Sequence, residues 1–260
     1  MRVPFWAKPL LPFALAGCQT QVVNALEPHP PGPDVQCSPG YALAFDGVLS
    51  RVEADLGGNL PTGNTARTVE MWAFVRPTSW GVNKHTFFEY GVNMLHQAWA
   101  IDMEVFPRMQ VYSWDDDVFF DTGLPETGGW LHVAATYDGS IMRAYVNGNQ
   151  AGYKPATDLL ATAQTTVKLG WSPSVVPPAF FDGLLDEVRI WKIARTADEI
   201  KRDMSVRLTG SEPWLVAYWH FDEGTGTVAH DASTLHNDAT LEPLEDHPLW
   251  EPSSLTLTCP

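Results

Sequence analysis

Two acidic residues spaced two apart, Asp102 and Glu104 in Ala100-Ile101-Asp102-Met103-Glu104, fall on one face of a strand by simple alternation. A pair of carboxylates on one face is what glycoside cleavage uses, one as nucleophile or base and the other as acid. His132 has no serine or cysteine beside it in a nucleophile turn, so no nucleophile–base pair is expected there. The eight histidines are scattered and the cysteines stand apart, which excludes a zinc-binding spacing. Surface recognition is the other chemistry on offer. Trp80, Trp114 and Trp171 fall beside expected loops or strand ends, where an indole face can stack on a sugar ring. Trp114 runs into Asp115-Asp116-Asp117, an acidic edge able to accept hydrogen bonds from hydroxyls.

These residues need strands to hold them. Thr68–Val75 mixes β-branched and aromatic residues, and His85–Val92, Ala98–Val105 and Met109–Trp114 are further runs of the same kind. Asp138-Gly139 separates Trp130–Tyr137 from Ile141–Val146, and Asn147-Gly148 follows; both dipeptides accept the positive φ of tight hairpin turns. Thr165–Trp171, Phe180–Trp191 and Leu215–Phe221 complete the set. One helix is expected, capped by Thr196, with acids in its first turn and bases in its last. Many short strands and one short helix imply an all-β, antiparallel two-sheet sandwich. On the strand Asp186–Trp191, alternation puts Glu187 and Arg189 on one face and Asp186 on the other.

Composition narrows the partners. The 260 residues carry 16 Lys and Arg against 31 Asp and Glu, a formal charge of −15, with 45% hydrophobic and 12% aromatic residues. That balance argues against nucleic acid and against an anionic membrane surface. No apolar run reaches the roughly 18 residues of a membrane-spanning helix. Arg2 and Lys8 precede a short apolar stretch ending in Leu15-Ala16-Gly17-Cys18, which resembles the bacterial lipobox. Residues 1–17 are then a lipoprotein signal peptide, and Cys18 carries the lipid that is the protein's one link to a membrane. Gln19 follows where an Asp would signal inner-membrane retention, so an outer-membrane lipoprotein, facing the periplasm or the cell surface, is expected. Residues 18–36, with Pro28, Pro30, Pro31 and Pro33, read as a semi-rigid tether of about 3 Å per residue, some 50 Å in all. Of three cysteines, Cys18 is spent on lipid, which leaves Cys37 and Cys259 to bridge in an oxidising compartment. The alternative is two unbridged thiols.

Five stretches occur in an order that resembles a known family: Ala42-Leu43-Ala44-Phe45-Asp46-Gly47, Val69-Glu70-Met71-Trp72, Trp130-Leu131-His132-Val133-Ala134-Ala135-Thr136-Tyr137-Asp138-Gly139, Phe181-Asp182-Gly183-Leu184-Leu185-Asp186-Glu187-Val188-Arg189-Ile190-Trp191, and Val216-Ala217-Tyr218-Trp219-His220-Phe221-Asp222-Glu223-Gly224. Together they resemble the laminin-G-like jelly roll of the concanavalin A-like lectin/glucanase superfamily, over residues 41–242 of a domain taken as 37–260. The resemblance implies a structural Ca²⁺ with Asp186 and Asp46 as its carboxylate ligands. Related β-glucanases use a Glu-x-Asp-x-Glu strand; this chain has Ala100 at the nucleophile position, so that activity is not expected. The reading that follows is a non-catalytic, membrane-tethered, lectin-like module for carbohydrate or protein ligands at the cell envelope. Its alternatives are a structural envelope protein and, less well supported, a degenerate glycosidase.

Overall fold

The computed structural model describes residues 36–38, 40–76, 85–123, 128–174 and 177–260. The signal sequence, Cys18, nearly all of the Pro-rich segment and Trp80 lie outside the described residues. In chain order the strands are β1 (Tyr41–Asp46), β2 (Arg51–Ala54), β3 (Arg67–Val75), β4 (His85–Gly91), β5 (Ala98–Val105), β6 (Arg108–Tyr112), β7 (Val118–Asp121), β8 (Gly129–Tyr137), β9 (Ile141–Val146) and β10 (Asn149–Pro155). They continue with β11 (Val167–Leu169), β12 (Trp171–Ser172), β13 (Ala179–Phe180), β14 (Asp182–Trp191), β15 (Leu215–Trp219), β16 (Val228–Ala229), β17 (Ala239–Glu242) and β18 (Leu249–Pro252); helix α1 (Ala197–Asp203) precedes β15.

Two eight-stranded sheets face each other. The first runs β10-β9-β8-β3-β14-β1-β18, with β15 also on β14; the second runs β16-β17-β2-β11-β4-β5-β6-β7. All their pairings are antiparallel. Alternation sends Val69, Met71 and Ala73 of β3 and Val133, Ala135 and Tyr137 of β8 inward, where they meet Phe88, Tyr90, Trp99 and Ile101 of the second sheet in one core. This is the expected jelly-roll sandwich.

The outer face of the first sheet is covered too. Thr196 caps α1 through a reciprocal capping box with Glu199, and Ile200 packs on Ala134 and Tyr145. Beneath this cover lies a buried polar cluster. Glu70 Oε1 accepts from Arg195 Nη1 at 2.7 Å and from Trp191 Nε1 at 2.9 Å, while Glu187 Oε2 accepts from Arg189 Nη2 at 2.7 Å and also from the Tyr218 hydroxyl. His132 sits edge-on to Trp72, its rings 5.3 Å apart, and burial, with Arg189 and Arg195 nearby, holds its pKa well below the usual imidazole value. It is a neutral packing residue.

One expectation about β14 is corrected. Register with β3 slips between Asp186 and Arg189, and Glu187 has φ of 53°. Asp186 pairs with Trp72 and Arg189 with Glu70, so both lie on the outer face and the extra residue between them is a bulge. Simple alternation places Asp186 on the wrong side. The Cys37–Cys259 disulfide is present, spanning 222 residues with Cα atoms 5.0 Å apart.

Candidate functional site

The outer face of the second sheet gathers most of the residues singled out above. Successive registers set Glu53, Lys168, Glu89, Ala100 and Tyr112 side by side across β2, β11, β4, β5 and β6. Glu89 Oε2 accepts from the Tyr112 hydroxyl at 2.8 Å, and its other oxygen accepts from Ser174 Oγ. Burial, with Asp102 and Glu89 close by, pushes the Tyr112 hydroxyl far above the usual phenol value, so it remains a donor. In the next row Asp102 accepts from Gln110 Nε2 at 3.4 Å. Both carboxylates are buried, Glu89 1% and Asp102 0% exposed. Glu104, beyond Met103 where the β5–β6 register begins to shift, is exposed. The Asp102–Glu104 pair is therefore split between the interior and water, and Ala100 packs with Ala98, Tyr112 and Trp114. These carboxylates hold strands and loops together.

At the edge of that face the chain makes a strained turn. Trp114 and Asp115 have φ of 60° and 123°, a region that non-glycine residues enter at a cost of order 1–3 kcal/mol each. Neighbouring contacts hold them there. The carbonyl of Trp114 accepts from His96 N at 3.2 Å, and that of Asp115 accepts from Lys154 Nζ at 2.9 Å. Asp116, fully buried, accepts from the Thr157 backbone N at 2.9 Å and Oγ1 at 3.2 Å, with Lys154 Nζ at 3.3 Å and His96 Nδ1 at 3.5 Å. Burial works against ionisation of Asp116, but the Thr157 donors and Lys154 outweigh it and its pKa is lowered. Trp114 is half-buried, edge-on to Tyr112, and Asp115 is exposed. Trp171 lies elsewhere, on β12 over β4, stacked on Phe180 at 6.2 Å and 17°, with the Arg51 guanidinium 5.2 Å from its ring. Three strand spacings, about 14 Å, separate β6 from β11, so Trp114 and Trp171 flank the face and do not share one contact.

The proposed calcium pair is not brought together. Asp46 pairs in register with Asp182, four positions along β14 from Asp186, which is about 13 Å. Asp46 Oδ1 already accepts from the backbone N of Val48, Leu49 and Ser50 and from Ser50 Oγ, the pattern of a turn organiser. Asp186 Oδ1 accepts from Glu187 N at 2.8 Å and Oδ2 from Ser253 Oγ at 2.9 Å. Burial, then the Glu187 carboxylate, raise its pKa well above the usual value. No group of three or more acidic, His or Cys side chains suited to a metal occurs among the described residues. The donor set does not fit a shared Ca²⁺ on Asp46 and Asp186.

A laminin-G-type family model, described as the concanavalin A-like lectin/glucanases superfamily, matches residues 46–201. The chain belongs to that superfamily. Its concanavalin A-like sandwich superposes on the crystal structure of a candidate carbohydrate binding protein from Bacteroides ovatus ATCC 8483 with a TM-score of 0.66 and 19% identity, covering 85% of this chain and 62% of that one. At that identity the likeness is one of fold. In sequence, this superfamily member is 33% identical over 82 residues to mouse pappalysin-1 and 35% identical over 80 residues to the human protein. Those matches span 31% and 30% of this chain and 5% of each pappalysin.

Proposed function

We propose that this chain is a non-catalytic, lipid-tethered, lectin-like module that holds carbohydrate at the bacterial cell envelope, on an outer-membrane anchor at Cys18. The observation that carries the reading is the Trp114–Asp115 turn, which spends backbone strain to present an aromatic ring and an exposed carboxylate side by side. Trp171, on the separate two-stranded β12–β13 ribbon, is a second stacking surface. The carbohydrate-binding description of the Bacteroides ovatus protein, whose sandwich this one matches, points the same way. Against hydrolysis stand the buried, internally hydrogen-bonded Glu89 and Asp102 and the alanine at position 100.

A glycan array probed with the purified protein, with and without calcium, tests the reading. Binding to at least one glycan class that Trp114→Ala weakens is expected. An array silent with calcium and with chelator would sink it, and release of reducing ends from β-glucans would replace it with an enzyme. Anchoring is tested separately: Cys18→Ser should leave the membrane fraction and lose labelling by a palmitate analogue.

A further inference from the structure

β7 and β10 are the last strands of their sheets, and the sandwich brings these two edges together. At Gly152 they touch: a Cβ there would stand 2.8 Å from Val118 Cγ1 and 3.3 Å from the Phe119 carbonyl oxygen. Around that contact opens a groove of about 500 Å³, lined by Asp117, Phe119, Gln150, Gly152, Tyr153 and Lys154 among others. That is the size of a small-ligand site. Tyr153 is 65% and Phe119 41% exposed, large values for aromatic residues on strands. Phe119 carries the Arg108 guanidinium 4.3 Å from its ring centre.

Three features narrow the occupant. Register with β9 shifts between Gln150 and Gly152, and Pro155 ends the strand, so β10 does not offer an unbroken backbone edge to a peptide strand. The Lys154 ammonium is paired with Asp116 at 3.3 Å and also donates to the Asp115 carbonyl, so it is not available to hold an anionic ligand. Exposed rings beside an amide and a carboxylate suit a chain whose faces are C–H and whose rims are hydroxyl. The groove is also continuous with the strained turn, because Asp117 lies two residues after Asp115 and Lys154 grips the Asp115 carbonyl.

We propose that the β7–β10 groove is the cleft for a neutral polysaccharide chain, with Tyr153 as its stacking platform, the Phe119 ring that carries Arg108 as its apolar wall, and Gln150 as a hydroxyl partner. The proposal rests on the carbohydrate reading above and places its ligand. The test is calorimetric titration of the full-length protein with neutral gluco-, xylo-, manno- and arabino-oligosaccharides, with hyaluronan and heparin fragments as anionic probes. One neutral series should bind, with an affinity little changed by salt. Tyr153→Ala should weaken it about tenfold or more at an unchanged melting midpoint, and Tyr153→Phe should retain it. If Tyr153→Ala and Phe119→Ala both bind a neutral oligosaccharide like the parent, the groove is the wrong place while the carbohydrate reading stands. If only the anionic probes bind, the neutral-chain assignment is overturned. If no saccharide binds the parent protein, groove and reading fall together.

Discussion

Asp116 anchors the turn after β6 by accepting two hydrogen bonds from Thr157 while paired with Lys154. Removing it as Asp116→Ala leaves those donors without a charged partner and should cost about 2 kcal/mol, read from urea midpoints. Because its pKa is lowered in the folded state, its stabilisation is full above about pH 4 and is lost as pH falls through the lower folded value. Asp116→Asn should flatten that acid limb. Asp186 has the opposite sign. Its raised pKa means that the folded state keeps a proton which the unfolded chain has released, so its contribution is full below about pH 4 and is lost as pH rises through the folded value. Asp186→Asn should therefore stabilise the protein more at pH 8 than at pH 4; a loss at both would mean that the charge is needed. The sequence marks Trp114 and Asp115 by residue type and position, but not the clasp beneath them, whose partners His96, Lys154 and Thr157 lie 20 to 41 positions from Asp116. Glu89 is hidden for another reason. The register with β5 shifts between Thr86 and Phe88, both Phe87 and Phe88 enter the core, and alternation then cannot say which way Glu89 points.

Among the elements, β3, β5, β8 and β9 are legible because each has a buried face and a clear apolar pattern. β10 is not, since Asn149-Gln150-Ala151-Gly152-Tyr153-Lys154-Pro155 sits at an edge in water and has little to alternate. Phe180–Trp191, expected as one strand, breaks at Phe181, whose backbone N donates to Gly170 O and whose carbonyl accepts from Gly47 N. β14 is the element on which the first sheet's outer layer depends. Its bulge turns Asp186, Glu187 and Arg189 toward one side, and Glu187 and Arg189 join the ionic cluster that also holds Glu70 and Arg195. Glu70→Ala leaves Arg195 and Arg189 buried without that carboxylate, and denaturant titration should show a loss of about 3–5 kcal/mol. Thr68→Ser, on the same strand, can keep its hydroxyl bond to the Ile193 carbonyl and should change stability far less.

For the molecule as a whole, the Cys37–Cys259 bridge encloses every strand and the helix named above. On the chain-entropy model, closing 222 residues restricts the unfolded state by roughly 5 kcal/mol, so the double Cys→Ser variant should melt about 10 °C lower. Equal midpoints for the bridged and the Cys→Ser proteins would assign the bridge no thermodynamic role. The pairing is legible from cysteine number, but the strap it fastens is not, because Leu257 and Thr258 bond to Cys37 and to the stretch after α1, and neither contact has a local pattern. That strap has a mechanical consequence. A pull applied at Gln36 does not load β1 alone: it divides at the sulfur bridge, and one branch runs into Thr258, whose N donates to Ser205 O and whose carbonyl accepts from Arg207 N. Force applied at this point is thus borne by shearing hydrogen bonds on two segments at once, and no length of folded chain is released until both let go. A domain built this way would stay folded under a tension that would unzip a strand held at one end.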